Sequence, residues 1–216
     1  MNGKIPEINT RRYLELVQRG VEKGTYKPEE AESMIYFALR DPLTGLYERR
    51  SLEDNIQNEI DEMCNKRKSK GLSVLYFDLD GFKPINDKYG HDVGDEAIKQ
   101  FAKVLRKACR RYADKIHRPH GDEFVVILGN TDENGSSTVL GRINSAFDRR
   151  KKALFHYLER HNPEKEELKE DILNLSFSSG IYSITGKEAI KSDAEQLLNG
   201  AEGRMREEKQ SKGAAR

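Results

Sequence analysis

Two predicted strands frame the stretch HGDEF at residues 120–124, and an earlier apolar run ends in FDLD at residues 77–80. The apolar run at residues 72–77 has the length and continuity of a buried central strand. Residues 115–118 and 124–128 flank the glycine turn and predict a β-hairpin. Acidic residues therefore follow one strand and occupy the tip of a hairpin. Because Mg²⁺ takes hard oxygen ligands and leaves positions for substrate oxygens, this pattern predicts a metal-dependent nucleotide enzyme, or a relative that has lost the activity.

The rest of the chain follows an α+β pattern. The predicted order of elements is α-α-α-β-α-α-β-β-α-β-α, which contains the strand-helix-strand-strand-helix-strand arrangement of a ferredoxin-like fold. We therefore expect a central sheet that contains antiparallel strands and is flanked by helices. Beyond the strands named above, the pattern predicts helices near residues 14–21, 28–39, 50–68, 82–88, 95–110 and 138–161, a helical turn up to 169, a strand at 173–184 and a helix from 193.

The breaker cluster DPLTG at residues 41–45 marks the predicted boundary between two parts of the chain. Residues 1–38 are expected to form an N-terminal helical segment that acts as a linker or a dimerisation element, because two such helices are too small to fold alone. Residues 39–216 then form the main domain. Within it, the sequence predicts loops at 90–94 and 131–137, a break near Pro163 and a frayed tail from Lys209.

Composition excludes several classes of protein. The 216 residues carry a net charge of only +1, whereas a dedicated nucleic-acid binder shows a basic excess. Cys64 and Cys109 lie far apart without the spacing of a disulfide or metal motif, so we expect reduced, buried thiols. Residues 1–12 lack an apolar signal-peptide core, and no apolar run approaches the roughly 20 residues that span a bilayer. The sequence therefore predicts a cytoplasmic protein without a membrane segment.

Several polar side chains near the two acidic stretches have more than one interpretation. Asp78 alone is equally consistent with a cap of the next turn, but together with the acidic residues at 122–123 it favours a metal ligand. Lys83 lies just downstream and is either a phosphate contact or a solvated surface lysine. Asn86 and Asp95 suit the edge of a nucleobase, but local turn and N-cap chemistry explains them equally well.

Four blocks of sequence together resemble the GGDEF family of diguanylate cyclases and their inactive descendants. The order and spacing of the blocks match that family, and the resemblance extends from residue 39 to the C-terminus. It implies a nucleotide-cyclase palm-like sheet. The blocks are DPLTGL at residues 41–46 followed by RR at 49–50, FDLDGFKPIND at 77–87, YGHDVGD at 89–95 and RPHGDEF at 118–124, with SSG at 178–180 similar to a later strand.

The resemblance implies an activity and its cofactor. Two copies of the chain would each bind one GTP, and the 3′-hydroxyl of each GTP would attack the α-phosphate of the other, giving cyclic di-GMP and two pyrophosphates across a homodimer. Two Mg²⁺ ions per active site are implied, with Mn²⁺ as a substitute. Carried over residue by residue, the resemblance implies that Asp78, Asp122 and the Leu79 carbonyl bind the metals and that Glu123 contacts a metal or a hydroxyl. It implies that Asn86 and Asp95 contact guanine. The residues implied around the phosphates are Phe82, Lys83, Gly121 and Lys209.

A further match and two departures concern regulation and activity. Arg111 and Asp114 resemble the Arg-x-x-Asp pair of the family's inhibitory site, which binds the product. His120 stands where the family has its first glycine, and we expect its side chain to project toward the nucleotide. Gly213 stands in place of an arginine, with Lys212 as an imperfect substitute. These departures motivate an alternative, a catalytically degenerate module that binds GTP or cyclic di-GMP and signals through a partner.

A third class of function shares one motif with this chain. The stretch DLDG at residues 78–81 also resembles the aspartyl phosphatase motif of haloacid dehalogenase-like enzymes, in which the first Asp is a nucleophile and the second a general acid. The stretch VGD at residues 93–95 mimics a later acidic motif of those enzymes. They expect another acidic residue a few positions on, and this chain has Lys99 there instead. The sequence therefore disfavours a phosphatase.

Overall fold

The computed structural model describes residues 10–65, 69–161 and 168–214. Its described elements are α1 (Thr10–Glu22), α2 (Pro28–Ala38), β1 (Tyr47–Glu48), a short 3-10 turn (Arg49–Ser51), α3 (Leu52–Asn65), β2 (Leu72–Asp80), α4 (Phe82–Tyr89), α5 (His91–Ala108), β3 (Asp114–His120), β4 (Glu123–Gly129), α6 (Glu133–His161), α7 (Leu168–Asn174), β5 (Ser176–Ile184), α8 (Gly186–Ala189) and α9 (Ala194–Ala214).

The described strands form one sheet in the order β1-β3-β4-β2-β5. β2 occupies an inner position and is antiparallel to both β4 and β5, and β1 is parallel to β3. All nine residues of β2 are buried, as a continuous apolar run predicts for a strand that is covered on both faces. The predicted α+β class, with a partly antiparallel sheet flanked by helices, is confirmed.

Alternate residues of the strands supply two hydrophobic layers, one on each face of the sheet. On one face, α5 and α6 cover a cluster of phenylalanines whose ring centroids lie 4.9–5.9 Å apart. On the other face, α3 and α9 cover Val74, Tyr76 and Val125. These two layers fix β2 and β4, whose ends carry the predicted acidic residues.

Gly180 explains how closely α9 approaches the sheet. A Cβ atom at this position of β5 would lie 2.0 Å from the Ala201 carbonyl oxygen, so only glycine fits. α9 buries Leu197, Ala201 and Met205 at helical spacing against the strands. The close approach aims the last turns of α9 at the end of β2.

Several boundaries differ from those predicted. The two-residue strand β1 and the single-turn helix α8 are too short to leave a periodic pattern, and the sequence missed both. The predicted loop at 90–94 is wrong beyond Gly90, because α5 begins at His91 with Asp92 in its first turn. α6 likewise begins at Glu133, within the predicted loop at 131–137.

Three further predicted boundaries lie in the second half of the chain. β5 begins at Ser176 rather than at 173, because α7 extends to Asn174. The predicted fraying from Lys209 is wrong as far as Ala214, where α9 ends. The predicted break near Pro163 lies outside the described residues.

The N-terminal helices form a pair. α1 packs against α2, and the Tyr13 hydroxyl donates a hydrogen bond to the Met34 carbonyl at 3.2 Å. α2 leaves Tyr36 and Phe37 exposed to solvent. Within the residues that the structure describes, no helix has both the length and the apolar composition needed to cross a bilayer.

Candidate functional site

The end of β2 and the tip of the β3–β4 hairpin lie side by side. Asp78 stands directly opposite Glu123 in the β2–β4 pairing. One residue on, the Leu79 amide donates to the Asp122 carbonyl at 3.3 Å, which holds the hairpin tip against β2. The two acidic stretches that the sequence singled out therefore meet at one edge of the sheet.

Lys209 of α9 joins this acidic edge. Its Nζ atom lies 2.5 Å from Asp78 Oδ1. Burial first, and then the negative charge of Asp78, raise the pKa of Asp122 above its ordinary value. A site where burial and a neighbouring carboxylate both oppose a negative charge is one that gains from an added cation.

Asp80 forms a separate network one step further along β2. It accepts hydrogen bonds from Ser176 Oγ at 2.9 Å and from Ser178 Oγ at 2.8 Å. Lys212 Nζ lies 3.4 Å from Asp80 Oδ2 and also donates to the Phe177 carbonyl at 2.7 Å. Lys212 therefore braces β5 against α9, and Asp80 has its oxygens occupied. Sequence reasoning missed this network.

The predicted base-contacting residues lie on the other side of β2, on α4 and the first turns of α5. Asn86 packs against Gly94, where a Cβ atom would lie 1.8 Å from Asn86 Oδ1. That oxygen is buried, and among the described residues it has no hydrogen-bond partner. An unpaired buried acceptor is costly unless a ligand supplies a donor. Asp95 follows Gly94 and is half-buried.

The remaining predicted contacts of α4 differ in exposure. Phe82 is buried in the core below the helix, whereas Lys83 is exposed. The Tyr89 hydroxyl and Lys88 Nζ both donate to Asp171 of α7, at 2.6 and 2.9 Å. The charged region around Asp171 thus braces the helix that carries Asn86.

A cavity of about 590 Å³ opens beside the hairpin tip, on the α3 and α9 face of the sheet. Its lining includes Tyr76, His120, Glu123 and Glu202. The Tyr76 hydroxyl donates a hydrogen bond to Glu123 Oε2 at 2.9 Å. Burial first, and then the charge of Glu123, raise the pKa of Tyr76 well above its usual range, so that it remains a donor.

The whole main domain matches a known family. Residues 38–215 match the model of the family described as "Diguanylate cyclase, GGDEF domain". This chain belongs to the GGDEF family. Its sequence is 36% identical over 127 residues to the "Probable diguanylate cyclase DgcC" of Escherichia coli, covering 59% of this chain and 33% of that protein. It is also 36% identical over 152 residues to the "Diguanylate cyclase DgcP" of Pseudomonas aeruginosa, covering 70% of this chain and 20% of that protein.

Solved GGDEF structures share the fold. The coiled coil and GGDEF domain of DgcB from Caulobacter crescentus, solved with c-di-GMP, superimposes with a TM-score of 0.69 at 20% identity, covering 93% of this chain and 94% of that one. SiaD of Pseudomonas aeruginosa, solved with its activator SiaC, gives a TM-score of 0.65 at 23% identity, covering 93% of this chain and 69% of that one. A haloacid dehalogenase-like phosphatase is thereby excluded as the family of this chain.

The variant motif residue of this GGDEF domain, His120, lies on the wall of the same cavity as Glu123. His120 is the last residue of β3 and does not have a positive φ, whereas Gly121 beside it has a φ of +34°. The His120 ring contacts the Arg49 guanidinium. The side chain is therefore turned toward the 3-10 turn (Arg49–Ser51) that precedes α3.

The hairpin of this GGDEF domain is tied to its first sequence block. Arg118 donates through Nε to the Gly121 carbonyl at 2.8 Å, and its guanidinium lies 3.0 Å from Asp41. Both charged groups are mostly buried. Asp41 also accepts from the Thr44 amide at 2.8 Å. This link was missed at the sequence level, although both residues lie inside blocks that were singled out there.

In the Arg-x-x-Asp motif, formed by Arg111 and Asp114, the aspartate is bonded to the neighbouring Arg110. Arg111 is exposed, whereas the Asp114 carboxylate is buried. Arg110 bonds that carboxylate through Nε at 3.0 Å and through Nη2 at 2.6 Å. Arg110 therefore holds the carboxylate that the resemblance assigns to the product site together with Arg111.

The donor set at the sheet edge fits a divalent cation with open coordination positions. No group of three or more His, Cys, Asp or Glu side chains converges as a metal site within the described residues. The fit depends instead on two carboxylates, Asp78 and Asp122, and on the Leu79 carbonyl. Mg²⁺ is commonly held by one or two carboxylates with substrate phosphates and water completing its shell, so this small set is adequate.

The two cysteines, Cys64 and Cys109, differ in their exposure to solvent. Both are free thiols, as predicted. Burial raises the pKa of Cys109 to about 12, which keeps it protonated and unreactive. Cys64 is exposed, so the prediction that both thiols are buried is wrong for this residue.

Proposed function

We propose that this chain is a diguanylate cyclase, which condenses two GTP into cyclic di-GMP and two pyrophosphates across a homodimer. The observation that carries the proposal is the meeting of Asp78, Asp122 and Lys209 at one edge of the sheet. A buried and a half-buried carboxylate suit a metal, and an adjacent ammonium suits a phosphate. The relatives named as diguanylate cyclases support this activity for the domain.

In this proposal, Asp78, Asp122 and the Leu79 carbonyl would hold two Mg²⁺ ions, or Mn²⁺. When bound, the ions activate the 3′-hydroxyl of GTP and stabilise the charge of the leaving pyrophosphate. Lys209, whose ammonium contacts Asp78, would contact a phosphate oxygen of GTP. Glu123 accepts a hydrogen bond from the attacking hydroxyl or adds a metal contact.

Guanine recognition is assigned to the α4–α5 side of β2. Asp95 accepts from the guanine N–H groups, a pairing that adenine cannot reproduce, and Asn86 contributes its unpaired Oδ1. Lys83 and Gly121 contact the phosphates, and Phe82 supports the same surface. Arg111 and Asp114 form a product-binding site, which requires Arg110 to share or release the Asp114 carboxylate.

The division of the chain at residues 38 and 39 follows from the same proposal. Residues 39–216 carry the catalytic domain. The N-terminal helical segment, residues 1–38, links that domain to other elements or brings two copies together. Dimer formation is necessary for activity because each GTP needs the other as its acceptor.

Chromatography of nucleotides after incubation with GTP and Mg²⁺ tests the proposal. We expect a cyclic di-GMP peak and pyrophosphate in a ratio of about one to two, from the stoichiometry of the reaction. The variant Asp122→Ala should give neither product, and unchanged production by that variant would contradict the assigned site. A matched control is Asp132→Ala, which removes an exposed carboxylate in the loop between β4 and α6.

A second candidate is a non-catalytic module that binds GTP or cyclic di-GMP and signals through a partner. His120 at the first glycine of the motif is the observation that favours it. Calorimetry that detects nucleotide binding together with unchanged GTP on chromatography would support this candidate. Turnover that appears in His120→Gly but not in the native protein would do the same.

A further inference from the structure

Tyr76 lies beside the proposed active site without belonging to any of the family motifs quoted above. It precedes Asp78 by two residues on β2, so both side chains project from the same face of the sheet. Glu123 stands opposite Asp78, which makes Tyr76 and Glu123 diagonal neighbours across the β2–β4 pair. The hydrogen bond of 2.9 Å from the Tyr76 hydroxyl to Glu123 Oε2 spans this diagonal.

The Tyr76 ring is fixed by the hydrophobic layer around it. Its side chain is only 5% exposed and lies in the layer formed with Leu52, Ala201 and Met205. A tyrosine has few rotatable bonds, so a ring held in this way presents its hydroxyl at one defined point. That point lies on the wall of the 590 Å³ cavity, next to the carboxylate of Glu123.

The Glu123 carboxylate depends on Tyr76 for its orientation. In the described part of the chain, Tyr76 is the only residue that hydrogen-bonds to its carboxylate. A half-buried glutamate without a partner samples several rotamers, whereas one held through Oε2 keeps Oε1 in a limited range of positions. The neighbouring carboxylates of Asp78 and Asp80 are each held by a lysine of α9, Lys209 and Lys212 respectively. The Tyr76 hydroxyl holds the Glu123 carboxylate in a comparable way.

We infer that Tyr76 is a positioning residue for the cyclase reaction: it holds Glu123 Oε2 and thereby directs Glu123 Oε1 toward the attacking hydroxyl. This inference rests on the proposed function and on the first of its two roles for Glu123, the contact with that hydroxyl. Tyr76 itself contacts no reacting atom. Its effect should therefore appear in the rate of the reaction rather than in the affinity for GTP, and it should disappear when Glu123 is absent.

Three variants test the inference in the full chain with GTP and Mg²⁺. Tyr76→Phe should lower kcat about tenfold and leave KM for GTP within about twofold. Glu123→Ala should lower kcat further, and adding Tyr76→Phe to it should cause no additional loss. The control Tyr182→Phe removes a hydroxyl from the same hydrophobic layer, where it has no hydrogen-bond partner among the described residues, and kcat should stay within about twofold.

The outcomes separate the inference from the proposed function. An active native protein whose kcat is unchanged by Tyr76→Phe overturns the inference alone. Equal fold-losses from Tyr76→Phe in the native and Glu123→Ala backgrounds also overturn it, because they assign Tyr76 a role independent of Glu123. A native protein that makes no cyclic di-GMP overturns both. Melting temperatures of Tyr76→Phe and Tyr182→Phe that agree within a few degrees show that the rate effect does not come from unfolding.

Discussion

Lys209 Nζ and Asp78 Oδ1 lie 2.5 Å apart, although 131 residues separate them in the chain. The contact joins the last turns of α9 to the end of β2. Asp122 lies close enough for the charge of Asp78 to raise the pKa of Asp122. The single ammonium of Lys209 therefore lies beside two carboxylates at this edge of the sheet. A divalent cation at this edge and the Lys209 ammonium compensate the same negative charge, which makes their effects on stability interdependent.

The first prediction concerns this interdependence. Lys209→Met should destabilise the metal-free protein by about 1 kcal/mol, a modest value because the lysine is half-exposed. Millimolar Mg²⁺ should recover most of the loss, since the ion neutralises Asp78. Thermal melts with and without Mg²⁺ measure both effects. Lys212→Met is the control, because Asp80 is not a proposed ligand, and its loss should not respond to Mg²⁺. Equal responses of the two variants would contradict the assignment of Asp78 as a ligand.

A second prediction separates activity from stability at Asp122. Asp122→Asn keeps the shape of the side chain and removes a half-buried charge that partial burial and Asp78 both disfavour, an effect that solvent screening keeps small. The metal-free variant should therefore gain about 1 kcal/mol of stability. Cyclic di-GMP production should fall at least about 100-fold, because a metal ligand is lost. Denaturant titration and a product assay on the same sample check both; a less stable variant would show that Asp122 has a structural role instead.

The third prediction concerns His120. Because its ring is turned toward Arg49, removing the side chain should not open the nucleotide site. We expect His120→Gly to change kcat and KM by less than about threefold and to cost about 0.5–1 kcal/mol of stability, the usual cost of a glycine at the end of a strand. Steady-state kinetics and denaturant unfolding are the measurements. A gain of tenfold or more in kcat would mean that the ring obstructs the substrate in solution.

The sequence predicted the sheet and the acidic edge well because both depend on local patterns. The mostly apolar run at residues 72–77 specifies an inner strand, and the turn at 120–124 specifies a hairpin. Their pairing then brings Asp78 opposite Glu123. The family resemblance supplied the roles of these residues, which spacing alone does not give.

The missed features depend on contacts between distant parts of the chain. Tyr76 is an ordinary strand residue in the sequence, and its bond to Glu123 follows only from the register of β2 with β4. The fraying predicted from Lys209 failed for the same reason, since the sequence of a terminal helix does not reveal that its lysines bind Asp78 and Asp80. The bond from Arg110 to Asp114 is another feature that the sequence analysis did not anticipate.

The fourth prediction follows from the position of Arg110. Asp114→Ala removes a buried carboxylate that Arg110 contacts through two nitrogens, so it should lower stability by about 2–4 kcal/mol. Arg111→Ala should leave stability within about 0.5 kcal/mol, because the side chain is exposed. If Arg111 binds the product, the same variant should raise the cyclic di-GMP concentration needed for half-inhibition at least about tenfold. Denaturant unfolding and an inhibition titration distinguish these effects, and unchanged inhibition would remove Arg111 from the product site.

The buried side chain of His117 should make the stability of the fold depend on pH. Its ring is fully buried and stacks on Tyr47 at 5.1 Å between centroids. Nδ1 lies 3.2 Å from the Glu48 carbonyl, and Nε2 lies 3.2 Å from Asn55 Nδ2, which can only donate. The ring is therefore neutral, with its proton on Nδ1. Burial, assisted by the charges of Lys115 and Arg40, lowers the pKa of His117 to about 4.

The fifth prediction is that acid destabilises the fold through His117. The unfolded chain, with a histidine pKa of about 6.5, binds this proton between pH 6.5 and 4, whereas the folded chain does not. Stability is therefore full above pH 6.5 and declines as the pH falls toward 4, by about 2 kcal/mol at pH 5. Urea titrations at pH 8 and pH 5 measure the decline. His117→Phe should reduce it, whereas His156→Gln, which alters an exposed histidine, should not. An equal decline in His117→Phe would assign the acid sensitivity to other groups.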